Sequence, residues 1–181
     1  MGIYPLKEID MNEINKSEFK DTESVKKLVS RYNTNSLLFS LGFFVIIIGI
    51  MPYFFVDAND WTRRIMPSLI IAIIGIILIL IANYRNNNIK DGLDGKYTVP
   101  ASEYVDLQRK AINKIFRKDL IIGVLLIILI PFIYVFITSK TGFVAKSSER
   151  YLYSVLLVIL AIALFLILYS KGKRDAYKIF E

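Results

Sequence analysis

Five basic residues ahead of the third long apolar stretch have the types and spacing of an anion-binding surface. They are Arg109, Lys110, Lys114, Arg117 and Lys118. Apolar residues repeat among them at three- and four-residue steps, at Tyr104, Leu107, Ala111, Ile112, Ile115 and Phe116. This period predicts an amphipathic helix with a basic side. Such a helix can bind anionic lipid or dock on a protein partner, or it can do no more than anchor the inner leaflet.

The acidic residues form weaker candidate sites. Asp91-Gly92-Leu93-Asp94-Gly95 resembles the start of the metal-binding motif of CDP-alcohol phosphotransferases, but Lys-Tyr-Thr follows where that family has an Ala-Arg pair. Asp57 and Asp60 supply too few oxygens for a calcium site. The chain has no Cys and no His, which removes common metal ligands and the commonest general base. We therefore predict no catalytic, metal-binding or cofactor-binding residue, and a protein that is not an enzyme.

Four stretches without Asp, Glu, Lys, Arg or His dominate the chain: Ser36–Val56, Ile65–Tyr84, Leu120–Ser139 and Tyr151–Ser170. A helix needs about 20 apolar residues to cross a hydrocarbon core of about 30 Å. Ionisable residues inside a span usually mark an ion or substrate path, and these stretches contain none. The sequence predicts an all-α, polytopic membrane protein with four transmembrane helices.

The basic residues predict the orientation of these spans. Eighteen Lys and Arg fall before the first span, between the second and third, and after the fourth, against five in the two short loops. The positive-inside rule then places both termini in the cytoplasm. We expect the chain in the plasma membrane of a bacterial cell. The net charge of +7 is explained by an anionic membrane surface, so we do not predict nucleic-acid binding.

The predicted organisation is two tandem hairpins, with an amphipathic cytoplasmic helix before the first and third spans. The leading segment has six basic and six acidic side chains, unlike a secretory signal, and its helix carries Val25, Leu28, Val29 and Tyr32. The predicted segments are a cytoplasmic segment at 1–35, a hairpin at 36–84, a turn-rich connector with the basic helix at 85–119, a hairpin at 120–170 and a cytoplasmic tail at 171–181.

The two hairpins share a pattern. Gly42 and Gly123 each begin an aliphatic run that ends at a proline with aromatic residues, Pro52 in the first hairpin and Pro131 in the second. This pattern fits a parallel repeat, although aliphatic runs also align by chance. Pro131 lies well inside its span and is predicted to bend the third helix. Small residues predict helix-packing seams at Ser36/Ser40, Ser68/Ala72 and Gly42/Gly49.

The order of these features resembles a four-helix membrane region of uncharacterised Gram-positive proteins, often appended to a helix-turn-helix regulator. The resemblance covers Ser24–Lys171 and rests on the basic pre-helix, the Gly-rich span with its Pro step, a second span ending in Asn-Tyr-Arg, the acidic-glycine turn with Tyr97, and the second hairpin. Thirty-five leading residues are too few for a helix-turn-helix unit, so DNA binding is not implied.

The expected function is binding without catalysis, as an immunity or self-protection protein, a sensor or an accessory subunit. Its expected partners are the lipid bilayer and a membrane or secreted protein. Assembly into a homo-oligomer is a further alternative. One alternative is a small channel or transporter component, which would have to use hydroxyls in the spans such as those of Ser40, Ser68, Ser154 and Tyr134. A second alternative is an interfacial lipid-modifying enzyme, but no paired catalytic constellation is visible.

Overall fold

The structure is a computed structural model, and it describes residues 11–56, 60–93, 102–141 and 146–180. Every regular element in these ranges is helical. The helices are α1 (Met11–Ile48), α2 (Met51–Phe55), α3 (Trp61–Leu93), α4 (Ser102–Thr141), α5 (Lys146–Asp175) and a 3₁₀ helix at Lys178–Phe180. The helices α1, α3, α4 and α5 are long and apolar enough to cross a membrane. The predicted all-α fold with four membrane-spanning helices is confirmed.

The long helices extend well beyond their apolar stretches. α4 has 40 residues, or about 60 Å at 1.5 Å per residue, where half that length crosses the bilayer core. α1 begins well before Ser36, α3 continues past Tyr84, and α4 begins well before Leu120. These extensions share one end of the molecule, where α1 begins and α5 finishes. We call it the terminal end, and the opposite end the loop end.

Helix boundaries locate one predicted helix and correct one predicted turn. The amphipathic helix of the leading segment is the first part of α1, which continues without a break into the span. The Asn86–Asn88 run, predicted to lie in a turn-rich connector, is helical because α3 continues to Leu93. Asparagine is only mildly unfavourable in a helix, and the packing of neighbouring Ile89 offsets that preference. Residues 94–101, with the second half of the acidic motif, lie outside the described ranges.

The two proline positions differ in effect. The first span is interrupted between α1 and α2, and Pro52 lies in the first turn of α2, where its missing N–H is tolerated. Ser68 of α3 holds α2 in place, because its hydroxyl accepts a hydrogen bond of 3.1 Å from the Tyr53 N–H. α4 continues through Pro131 as one helix, so the bend expected there stays a prediction.

α1 and α5 form the middle of a row of four helices. α3 packs along α1, α1 along α5, and α5 along α4, which gives the order α3, α1, α5, α4. Burial of the spans agrees with this order. In the most apolar part of each span, 28% of α5 and 22% of α1 are buried, against 11% of α3 and 6% of α4. α3 and α4 are therefore the edges of the row, and each exposes a broad apolar face.

Glycines make the closest contact between α1 and α3. A β-carbon on Gly42 would lie 2.7 Å from the carbonyl oxygen of Gly75, and one on Gly75 would lie 2.7 Å from that of Gly42. The two backbones therefore touch, as small residues allow. Gly49 also faces α3, where a β-carbon would lie 2.9 Å from the Ile71 side chain. The predicted Gly42/Gly49 seam is confirmed.

Small polar residues make the contact between α1 and α5. Ser40 is fully buried, and its hydroxyl donates a 2.8 Å hydrogen bond to the Ser36 carbonyl of its own helix. A β-carbon on Gly172 would overlap the Ser36 side chain. The predicted Ser36/Ser40 seam is therefore confirmed, and its partner is the end of α5.

We predict that Gly42→Ala destabilises the protein by about 1–3 kcal/mol, because the added methyl meets backbone that cannot rotate away. Gly123→Ala is the comparison, since its added methyl meets the Ile167 side chain and lies 3.1 Å from the nearest backbone atom, the Ala163 carbonyl oxygen, against 2.7 Å from backbone at Gly42. Thermal unfolding in mild detergent measures both variants. Equal losses in the two variants would contradict a backbone contact at Gly42.

Candidate functional site

The terminal end contains a hydrophobic cluster built by residues from distant parts of the chain. Ile89 of α3, Ile112 of α4 and Ile179 of the 3₁₀ helix pack against its buried members. We call those buried members the terminal cluster: Val25, Val29, Tyr32, Val105, Ala176 and Tyr177. The three α1 residues are spaced by four and three, which places them on one helix face. The cluster therefore joins α1, α3 and α4 to the segment that directly follows α5.

The basic helix predicted from sequence is the first half of α4, and most of its predicted site residues share an exposed face. Lys110, Lys114, Arg117 and Lys118 are all exposed, whereas Arg109 is half-buried on the side that faces the other helices. The structure therefore brings four of the five predicted residues together. Pro131 lies in the span, far along the same helix.

The apolar face predicted for this helix is split in two. Ile112 packs against the terminal cluster, and Phe116 lies under the Arg174 guanidinium at 4.2 Å from the ring centre. Leu107 and Ile115, by contrast, are 61% and 51% exposed. With exposed Ala111 they form a stripe among the basic residues. We call these apolar residues, together with the four exposed basic residues beside them, the basic stripe: Leu107, Lys110, Ala111, Lys114, Ile115, Arg117 and Lys118.

The position of the basic stripe along α4 shows which residues can reach lipid headgroups. The apolar stretch begins at Leu120, and the headgroup layer adds roughly 5–7 Å on each side of the hydrocarbon core. At 1.5 Å per residue, Lys118 lies about 3 Å beyond Leu120 along the helix, and Lys110 about 15 Å beyond it. α4 is held to the terminal cluster and cannot lie flat on the bilayer. Headgroup anchoring therefore accounts for Arg117 and Lys118 but not for Lys110 and Leu107.

A cavity of about 190 Å³ lies between α1, α3 and α5 at the terminal end. Its wall is polar and apolar in equal parts, and it includes a lysine and an aspartate. The residues that line it are Tyr32, Ser36, Phe39, Asn83, Asn86, Leu168, Lys171, Gly172 and Asp175. Sequence reasoning missed this site because its residues come from three separate segments. The available signal was the pair of asparagines, Asn83 and Asn86, at the end of an aliphatic span.

Asn86 has a buried side-chain oxygen, Oδ1, without a hydrogen-bond partner in the described part of the chain. Asn33 has the same property and lines a neighbouring, more open cavity of about 290 Å³. The wall of that second cavity includes Lys26 but no carboxylate. The two cavities therefore differ in the charge they offer to a ligand.

Aromatic rings join the helices at the loop end. Tyr153 of α5 stacks on Phe54 of α2 at 5.6 Å and on Tyr134 of α4 at 6.2 Å between ring centres. Arg64 of α3 lies 4.5 Å from the centre of the Tyr53 ring and donates from Nε to the Tyr53 carbonyl. These contacts connect both hairpins on the side opposite to the terminal cluster.

The polar groups that could serve transport or metal binding are used in packing. The Ser154 hydroxyl donates to the Arg150 carbonyl of its own helix at 2.9 Å, as Ser40 does to Ser36. Asp60 caps α3, because its Oδ1 accepts a 3.1 Å hydrogen bond from the Thr62 N–H. Asp57 lies outside the described ranges. Among the residues with described side chains, no group of three His, Cys, Asp or Glu could hold a metal ion.

Comparison with protein families, with curated proteins and with solved structures finds no match to this chain. The resemblance to a membrane region of Gram-positive proteins therefore stays a prediction. Function has to be argued from the basic stripe, the exposed spans and the cavity.

We predict that Val29→Ala lowers the free energy of unfolding by about 2 kcal/mol, because it leaves a void in the terminal cluster. Leu107→Ala is the control, since this exposed residue should change stability by no more than about 0.5 kcal/mol. Unfolding of the purified protein in detergent measures both. A larger loss for Leu107→Ala than for Val29→Ala would show that the basic stripe is packed and that the cluster is not.

Proposed function

We propose that this protein is a non-enzymatic integral membrane protein that works by binding another membrane protein along the outer face of α4. Immunity or self-protection, sensing, and an accessory role in a larger complex are the biological settings that fit such a protein. The observation that carries the proposal is continuity. The apolar face of the α4 span and the basic stripe lie on one side of one helix.

Two physical features support a protein partner over lipid alone. Leu107 lies about 20 Å along the helix from Leu120, beyond the headgroup layer, and it is exposed to water there. Exposed apolar residues bordered by like charges are typical of an interaction surface. The excess of lysines predicts that the partner carries acidic groups next to its membrane-spanning helix.

The hydroxyl groups of the spans do not favour the transport alternative. Ser40 and Ser154 donate within their own helices, Ser68 accepts from Tyr53, and the Tyr134 ring stacks on Tyr153. Each of these groups already has a structural contact.

A photo-crosslinking residue placed at Leu125 on α4 tests the proposed surface. The matched control is the same residue at Ile70 on α3, because the two side chains are 59% and 58% exposed on opposite edges of the row. We expect a protein adduct of discrete mass from position 125 and only lipid adducts from position 70. Lipid adducts alone from both positions would contradict the proposal, and an adduct of twice the chain mass would identify a second copy as the partner.

Reversal of the outer lysines tests the role of charge. We expect Lys110→Glu with Lys114→Glu to reduce the crosslink from position 125 several-fold, because an acidic partner is then repelled. Lys27→Glu with Lys90→Glu is the control, since these exposed lysines lie at the same end on α1 and α3. An equal reduction in both double variants would point to a general effect of charge on insertion.

The proposed orientation, with both termini in the cytoplasm, is testable because the chain has no cysteine. Single cysteines replace two exposed residues, Thr62→Cys at the loop end and Asn87→Cys at the terminal end. We expect a membrane-impermeant thiol reagent to label position 62 in intact cells and position 87 only after lysis. The reverse labelling pattern would contradict the proposed orientation.

A further inference from the structure

The cavity between α1, α3 and α5 lies at the level where three apolar stretches end. Ser36 is the first residue of its stretch, Asn83 is the next-to-last of its own, and Lys171 directly follows the last residue of the fourth. Since all three line the cavity, it lies at the depth of the lipid headgroups at the terminal end. This location limits the available ligands chiefly to lipids and to small solutes from the aqueous side.

The wall of the cavity has an apolar part and a polar part. Phe39 and Leu168 lie within their apolar stretches, on the hydrocarbon side of Ser36 and Lys171. The polar part offers charges of both signs, with the Lys171 ammonium and the Asp175 carboxylate. A wall of this composition fits an amphiphilic molecule whose polar group is itself zwitterionic.

Two acceptors in this wall are available to a cationic group. Asn86 Oδ1 is buried and lacks a donor within the described residues, which is destabilising until a donor arrives. Asp175 contacts Arg174 at 3.3 Å and Lys178 at 3.7 Å. Both of these contacts use Oδ1, so Oδ2 is the second acceptor. Lys171 is exposed and forms no ion pair with another described residue. The cavity thus has a free cation for a phosphate and acceptors for an ammonium group.

We infer that this cavity binds the headgroup of a phospholipid that carries a primary ammonium group, of which phosphatidylethanolamine is the simplest. Lys171 pairs with the phosphate, and Asp175 and Asn86 accept the N–H groups of the ammonium. Phe39 and Leu168 contact the start of the acyl chains. At about 190 Å³ the cavity is smaller than the roughly 300–1,000 Å³ of sites that enclose whole small molecules, so the chains stay in the bilayer. This inference does not depend on the proposed protein partner.

Lipids that differ only in the headgroup provide the first test. The full-length protein is placed in lipid nanodiscs containing phosphatidylethanolamine, phosphatidylcholine or phosphatidylglycerol, and retained lipid is counted by native mass spectrometry after extraction. We expect about tenfold preferential retention of phosphatidylethanolamine, because the choline group has no N–H and the glycerol group has no cation. Equal retention of phosphatidylethanolamine and phosphatidylcholine would overturn the inference.

Soluble phosphoethanolamine distinguishes a lipid from a free small molecule. We expect it to leave the thermal unfolding temperature unchanged at concentrations where phosphatidylethanolamine raises that temperature, because the soluble compound makes no contact with Phe39 and Leu168. Equal stabilisation by the soluble compound would overturn the assignment of a lipid.

Variants of the cavity provide the second test. Asp175→Asn and Asn86→Leu should each abolish the preference for phosphatidylethanolamine over phosphatidylcholine. Asn33→Leu is the matched control, because it removes the other buried, unpartnered amide oxygen from the cavity without a carboxylate. The preference is a ratio measured within each variant, so a general loss of stability does not imitate the result. A preference that survives in both cavity variants, or is lost equally in Asn33→Leu, would overturn the inference.

Discussion

The hydrophobic effect can hold these helices together only where they are surrounded by water. Inside the bilayer a leucine gains nothing by moving from lipid to a neighbouring helix, so association there depends on close packing. Gly42 and Gly75 supply that packing between α1 and α3, and Ser36 and Gly172 supply it between α1 and α5 at the edge of the spans. The terminal cluster is different, because its burial removes apolar surface from water. The helical extensions beyond the spans therefore have a structural role. They place apolar residues outside the bilayer, where the hydrophobic effect can hold the helices together.

This division explains why α1 and α5 occupy the middle of the row. Both helices place small residues within their spans. α1 also contributes residues to the terminal cluster, and α5 directly precedes two members of that cluster, Ala176 and Tyr177. α3 has a small-residue contact on one side, at Gly75, and its opposite side carries large aliphatic residues such as Ile70 and Ile77. α4 likewise has one buried glycine, at position 123, and an outer face of exposed isoleucine and leucine. Helices with one packing seam become edges, and helices with two become the centre.

The sequence predicts much of this fold for physical reasons that act locally. The length of an uninterrupted apolar stretch can be compared with the thickness of the bilayer, which identifies a span. Apolar residues at three- and four-residue steps identify one face of a helix. The spacing of Val25, Leu28, Val29 and Tyr32 predicted one apolar helix face, but neither Ala176 nor Tyr177 could be named as its partner. The turn at Asn86–Asn88 was wrong, because tertiary packing overrode weak local preferences. The amphipathic helix before the first span is present and is continuous with that span. The cavity forms because Asn83, Lys171 and Ser36 lie close together in space. They are far apart in the sequence, so no local pattern predicts their proximity.

The rigidity of α4 changes the meaning of its basic residues. A basic amphipathic helix that lies flat presents all its lysines to the same layer of headgroups, and an anchoring role then accounts for the whole pattern. In this protein Val105 is buried in the terminal cluster and Gly123 is packed against α5, so the segment between them is fixed at both ends. Lysines one and two turns apart consequently lie at different heights above the membrane. Electrostatic attraction to anionic lipid falls off within a Debye length of about 8 Å, so it is weak at Lys110. A surface that keeps exposed leucine and lysine at that height is better matched to a protein that also projects from the membrane.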